Sequence, residues 1–234
     1  MRAVLEEHLI SVILAFIGTI FAVAAVALLW DGISTQQQIE IAQQIPLYAA
    51  TELNDLAVET LVAVEGKISE RNGSNSQGLV VYTKRQYDGT RCDDEHDECE
   101  EIWTLIESSI PALWLDMPDG RIRIGNTDYK LYNPPEISQS TEYLIEGETV
   151  EYQGYRIGDD IYTIGQINQD DGLSLNIEFI FGGTYEDYLV SQFQTEATLM
   201  LLGAIFGGIA ILLLGIAIIA SILARKNKIV NNEQ

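Results

Sequence analysis

Histidine and cysteine are nearly missing from this chain: it has two of each, His8 and His96, Cys92 and Cys99. With one histidine beyond the N-terminal segment and no Gly-x-Ser-x-Gly, a Ser-His-Asp hydrolase has no support. There is no phosphate-binding loop and no dinucleotide fingerprint, and no long internal repeat or low-complexity tract. Basic residues are scarce too, with 13 Lys+Arg against 35 Asp+Glu and a formal net charge of -22. Such a surface repels nucleic acid, because phosphate contacts need clustered Lys and Arg. It suits a basic or cation-bridged protein partner. With only five lysines, it also fits a halophile, in whose concentrated salt a carboxylate-rich surface stays hydrated and its self-repulsion is screened.

Charge of either sign is missing from two long runs. Leu9 to Trp30 reads LISVILAFIGTIFAVAAVALLW, and Leu199 to Ala224 reads LMLLGAIFGGIAILLLGIAIIASILA. The shorter run reaches about 33 Å as a helix, enough for a hydrocarbon core of roughly 30 Å. Both are expected to be transmembrane helices, since backbone groups in lipid must be satisfied internally. A cleaved signal peptide is the rival for the first. Its apolar region is shorter and ends in small residues, whereas this run ends in Leu28, Leu29 and Trp30.

Orientation follows from Lys and Arg near the span ends. Arg2 precedes the first run, and Arg225, Lys226 and Lys228 follow the second. The twenty residues after Trp30 and the twenty before Leu199 have neither. Both termini are therefore expected in the cytoplasm, with residues 31–198 outside an integral, cell-membrane protein. That outward segment holds 32 of the 35 acids and 9 of the 13 bases. In the second run, Gly203-xxx-Gly207 and Ala204-xxx-Gly208 have the small-residue spacing that lets helices approach closely, with Gly18 and Ala22 as the nearest partner face. Homo- or hetero-oligomers through these helices are another outcome of that spacing.

The expected organisation is a cytoplasmic N-terminus (1–8), a first span (9–30), a helical stalk (31–60), a β-rich outward domain (61–184), a juxtamembrane helix (185–198), a second span (199–224) and a cytoplasmic basic tail (225–234). In the stalk, Ser34-Thr-Gln-Gln37 fits a capping box and Pro46 should break the helix. From Leu61 the apolar period becomes two. Segments 61–69, 78–86, 101–108, 111–116, 120–125, 148–157 and 173–181 read as strands, punctuated by Asn72-Gly73, Asp119-Gly120, Asp159-Asp160 and Asp171-Gly172. The fold class is thus a membrane α+β protein whose outward domain is a small barrel or sandwich.

Several segments resemble one known family. VAVEGKI (62–68), with Glu65 and Gly66, is similar to the opening strand of the GIDE/BAM ("beside a membrane") domain of MULAN-type membrane ubiquitin ligases. SIPALWLDMPDGRIRIGN (109–126), with Pro111, Leu115, Asp116 and Gly120, resembles that family's hairpin. TEYLIEGETVEYQGYRIGDDIYTIG (141–165), with Gly147 and Gly154, resembles its Gly-x-x-Val-x-x-x-Gly strand. FIFGGTYEDYLVSQFQTEA resembles the lead into its second membrane helix. The resemblance covers roughly residues 50–224. The family's ligases carry a zinc RING after the second span, whereas ARKNKIVNNEQ here has no Cys or His, and a RING needs paired Cys/His ligands. The resemblance therefore implies an architecture and a partner-binding role without ligase chemistry.

The densest chemistry is RCDDEHDECEE (91–101). An outward location favours a Cys92–Cys99 disulfide. Zinc on the two thiols and His96 is the weaker reading, because six intervening residues is not the usual paired spacing. Asp93, Asp94, Glu95, Asp97 and Glu98 are candidate calcium ligands, although the EF-hand order is absent and a solvated acidic loop accounts for the charges. Asp116 and Asp119 read as turn residues rather than catalytic carboxylates. Asn72-Gly-Ser74 is a glycosylation sequon. Tyr82, Tyr87 and Tyr155 are either partner contacts or strand packing. No cofactor is expected. The function indicated is a non-enzymatic membrane scaffold or adaptor. The alternatives are an accessory subunit of a membrane enzyme or transporter complex and a cation-dependent surface component.

Overall fold

Both uncharged runs are helical, and each helix is longer than its run. In the computed structural model, α1 covers Arg2–Gln44 and α2 covers Tyr185–Asn232. Each contains a stretch long and apolar enough, by length and composition, to cross a lipid bilayer. The structure describes residues 2–93, 98–134, 142–143, 149–169 and 172–232. The chain divides into a helical unit, Met1–Ile41 with Leu189–Gln234, and a β unit, Ala42–Tyr188.

In the helical unit, α1 and α2 pack antiparallel. Phe21 meets Phe206 edge-on, with ring centroids 5.5 Å apart. Small residues set the approach. A Cβ on Gly203 would come within 2.8 Å of the Leu29 side chain, and one on Gly18 within 3.0 Å of Leu214. Gly207 faces Ala25, but nothing lies within 4 Å of a Cβ on Gly208. Gly208 is therefore not part of the α1–α2 contact, contrary to the expectation from spacing. It lies roughly 100° round the helix from Gly207.

The stalk is not a separate helix. α1 runs unbroken through Ser34, and Thr35 Oγ1 donates to Asp31 O one turn back. Ser34 cannot act as a cap because the residues before it are already helical. α1 ends at Gln44, just before Ile45-Pro46, as expected where proline disfavours helical geometry in the preceding residue. The chain then turns onto the sheet. Tyr48 N–H donates to Ala63 O, Leu47 forms a parallel bridge to Ala63, and Glu52–Asp55 makes a 3-10 turn.

The β unit has eleven strands: β1 Leu61–Ile68, β2 Leu79–Asp93, β3 Glu98–Ser109, β4 Leu113–Met117, β5 Gly120–Ile124, β6 Lys130–Tyr132, β7 Glu142–Tyr143, β8 Thr149–Arg156, β9 Asp160–Asn168, β10 Ser174–Ile177 and β11 Phe179–Gly182. Five of them close a ring, because β1 pairs with both β4 and β9, β4 with β5, β5 with β10, and β10 with β9. The β5–β10 pair is parallel and the others are antiparallel. This is a small Greek-key barrel with the strand order of OB-type folds, a topology that by itself specifies no function. β11 and β6 extend the sheet. β2 and β3, inserted between β1 and β4, join β8 and β7 in a second sheet of order β3-β2-β8-β7.

Alternation explains the barrel interior. Val62, Val64 and Ile68 from β1, Leu113, Leu115 and Met117 from β4, Ile122 and Ile124 from β5, and Leu175 and Ile177 from β10 are buried together. β9 was not among the strands read from the sequence. Thr163 and Gly165 share the face of the buried Ile161 and Ile167, while Tyr162 and Ile164 lie on the other face, so DIYTIGQIN lacks a clean polar–apolar alternation.

The β4–β5 hairpin clamps the segment after α1. Pro118 and Asp119 are its two central residues, as a proline-led turn favours. The Asp119 carboxylate accepts from Ala50 N–H at 3.0 Å, Thr51 N–H at 2.9 Å and Thr51 Oγ1 at 2.6 Å. These bonds, led by the Thr51 hydroxyl, lower its pKa to about 2. Because the folded value lies below the unfolded one of about 3.9, the clamp stabilises above that pH and is lost as pH falls from about 4 to about 2. The melting-temperature gap between wild type and Asp119→Asn should therefore shrink across that window. A gap independent of pH would mean that the carboxylate charge is not what holds the segment.

Two buried tyrosines make a contrasting pair. Tyr155 Oη donates to Tyr132 O, so Tyr155→Phe leaves a carbonyl short of a partner and should cost about 1–2 kcal/mol. Tyr162 is fully buried between Tyr185 and Tyr188, and its hydroxyl has no hydrogen-bond partner among the described residues. Tyr162→Phe should be neutral or stabilise by about 1 kcal/mol. Denaturant midpoints moving in the same direction for both would contradict this assignment.

Candidate interaction surface

The sequence-singled residues separate into two groups. Those of the family-like motifs hold the fold together. Glu65 accepts from Tyr185 N–H at the start of α2, at 2.9 Å, where a carboxylate also suits the helix dipole. A Cβ on Gly66 would sit 2.9 Å from Asp116 O, and one on Gly154 only 2.1 Å from Val81 O. Pro111 O accepts from the buried Tyr129 hydroxyl at 2.6 Å, and Leu115 is fully buried. Asp116 pairs with Arg121, which holds its carboxyl below the usual range. A Cβ on Gly120 would meet Ala50 at 3.0 Å. Gly147 lies outside the described residues.

Asn72 is committed to the fold as well. Its Nδ2 donates to Ser69 O at 2.9 Å and Trp114 O at 2.8 Å, and its Oδ1 accepts from Trp114 N–H at 2.9 Å. A glycan would replace one of the two Nδ2 hydrogens and so cost one of these donations; in this fold the asparagine serves as a strand-end clasp. Tyr155 is not a surface contact, being fully buried. Tyr82 and Tyr87 are half-buried, and Tyr82 Oη donates to Glu107 at 2.6 Å, which raises the phenol's pKa.

The second group forms the β2–β3 arm. Cys92 lies opposite Cys99, and their sulfurs are 2.10 Å apart, at disulfide distance. Alkylation without reductant should therefore leave the mass unchanged. Asp94, Glu95, Asp97 and His96 lie outside the described residues. Asp93 and Glu98 end their strands, and their side chains are likewise not described. Among the described residues, no group of three His, Cys, Asp or Glu is placed to hold a metal.

Below the tip, the arm is a long twisted ribbon. The register shifts between Lys84 and Arg85 and between Tyr87 and Gly89, leaving Ile106 and Asp88 as bulge residues that increase twist. Tyr87 packs against Trp103 with centroids 5.3 Å apart. β3 forms one edge of its sheet and pairs only with β2 among the described residues. From Cys99 to Ser108 every residue but the half-buried Trp103 is exposed. Ile102, Leu105 and Ile106 are 37%, 58% and 46% exposed. Glu100 and Glu101 precede this apolar stretch and Glu107 follows it. Sequence reading identified 101–108 as a strand, but edge position depends on which strands pair, and that is not written in one strand's own pattern.

No protein-family model matches this chain, and no curated protein matches it in sequence. Its residues and geometry are therefore the basis for a functional reading.

Proposed function

We propose that this is a two-span membrane scaffold or adaptor whose acidic β-rich domain lies outside and binds another protein without catalysing a reaction. The observation that carries the reading is the arm: an exposed acidic edge strand with aliphatic side chains at its centre. Exposed apolar residues concentrated on one feature mark interaction sites more often than scattered ones do. The anchoring part rests on the helices. Val12, Phe16, Val26, Trp30, Ile211 and Leu212 are each at least 65% exposed on the helix pair, a surface suited to lipid rather than water. The asymmetry of Lys and Arg supports cytoplasmic termini, and the resemblance to GIDE/BAM domains agrees with this layout.

Protease added to sealed, right-side-out cells should cut within 31–198 and spare the basic tail. Trimming of the tail with an intact β domain would invert the topology. Gentle crosslinking in the same membranes should attach a protein partner to the β domain. A domain that crosslinks to no protein would remove the adaptor role.

A further inference from the structure

The mode of partner binding can be read from the arm, on the basis of the adaptor reading above. We infer that the outer edge of β3 receives an extended, basic segment of another protein as an added antiparallel or parallel strand, over residues 98–105.

Four observations converge on this edge. First, β3 has twelve residues, about twice the usual strand length. Its guards are glutamates and the bulge at Ile106 rather than shortening or proline, which discourages pairing with another acidic strand but not with a basic one. β3 contains no proline. Its outer N–H and C=O groups, without a strand partner among the described residues, are the template that strand addition uses. Second, the central side chains are aliphatic on both faces. Ile102 points opposite to Trp103, whose face Leu105 shares by alternation. No hydrophobic core needs these residues, since none of them belongs to the buried cluster. A neighbouring strand would cover them.

Third, charge chooses the occupant. β3 contributes Glu98, Glu100, Glu101 and Glu107 and no basic residue. Arg91 and Lys84 of β2 lie opposite Glu100 and Glu107, but with Asp88 and Asp93 the ribbon holds six acids against the three bases Lys84, Arg85 and Arg91. A second copy of β3 laid antiparallel would bring glutamates of both ends together, and like charges across a strand pair are destabilising. A segment with Lys or Arg flanking β-branched residues matches both the acidic ends and the aliphatic middle. Fourth, the edge is preorganised. The Cys92–Cys99 pair holds the register at the tip, so little ordering remains when a segment docks. The bulge at Ile106 ends the regular run, which sets the inner limit of the added strand.

The test uses the full-length protein in lipid nanodiscs and a fluorescent peptide with two lysines at each end of alternating valine and threonine. Anisotropy should report saturable binding that weakens about tenfold for Glu100→Gln/Glu101→Gln, in line with the loss of two flanking charge pairs. The same peptide N-methylated at alternate residues keeps its charge and side chains but loses backbone donors, and should bind at least about tenfold more weakly. Leu105→Asp, an exposed position that should not disturb folding, should weaken binding as well. Equal affinity for the N-methylated peptide, unchanged binding by the glutamine variant, or no binding at all would each overturn strand addition. If strand addition fails while a protein still crosslinks elsewhere on the β domain, the adaptor reading stands. If no protein crosslinks, both fall.

Discussion

Gly154→Ala should unfold the second sheet. A Cβ at this position would lie 2.1 Å from Val81 O and 2.7 Å from Tyr82 Cα, both backbone atoms of the paired strand β2. A flexible side chain could swing aside, but a strand held on its other edge by β3 cannot. The methyl group must push β8 off β2, and overpacking against backbone costs about 3 kcal/mol or more. Because β8 leads directly into β9, which closes the barrel against β1, the damage should reach the barrel as well. The measurement is the denaturant midpoint of the full chain in detergent, with Gly73→Ala beside it. Nothing lies within 4 Å of a Cβ on Gly73, so that variant should stay within about 0.5 kcal/mol of wild type. Equal stability of both variants would show that β8 does not cross β2 this closely.

Reduction of the Cys92–Cys99 pair should have the next largest effect, and a local one. Closing a loop of this length stabilises by about 2–3 kcal/mol in the chain-entropy model. The bonded residues are opposite each other at the end of the ribbon, and the barrel strands lie elsewhere in the chain. Hydrogen exchange should therefore rise along the outer parts of β2 and β3 after mild reduction, while β1, β4 and β9 keep their protection. Binding of the basic peptide should weaken in parallel, because an unlocked tip must be ordered again on docking. Uniform loss of protection across the β unit would mean that the pair supports the whole fold.

Much of the architecture was legible in the residues. Uncharged runs gave two long helices because nothing in LISVILAFIGTIFAVAAVALLW interrupts helical backbone bonding. Period-two segments gave β1, β4 and β5 because one side of each faces an apolar interior and the other does not. β9 was hidden, because polar Thr163 and small Gly165 sit on its core face and apolar Tyr162 and Ile164 on the other, which blurs the alternation. The stalk boundary was misplaced, because a capping motif marks a helix start only when the preceding residues are not helical.

The sequence by itself determined composition-level matters: the acidity, the apolar helices, the strand-rich centre and the proximity of two cysteines in one compartment-dependent loop. Tertiary structure alone decided that β1 returns to β9 to close a barrel, that Asp119 reaches Ala50 and Thr51, that Asn72 clasps Trp114, and that β3 pairs only with β2 among the described residues. The reason is physical. Local propensity acts over a few residues, whereas closure, clamping and edge position depend on which distant strands meet, and those meetings are selected by the packing of the whole core.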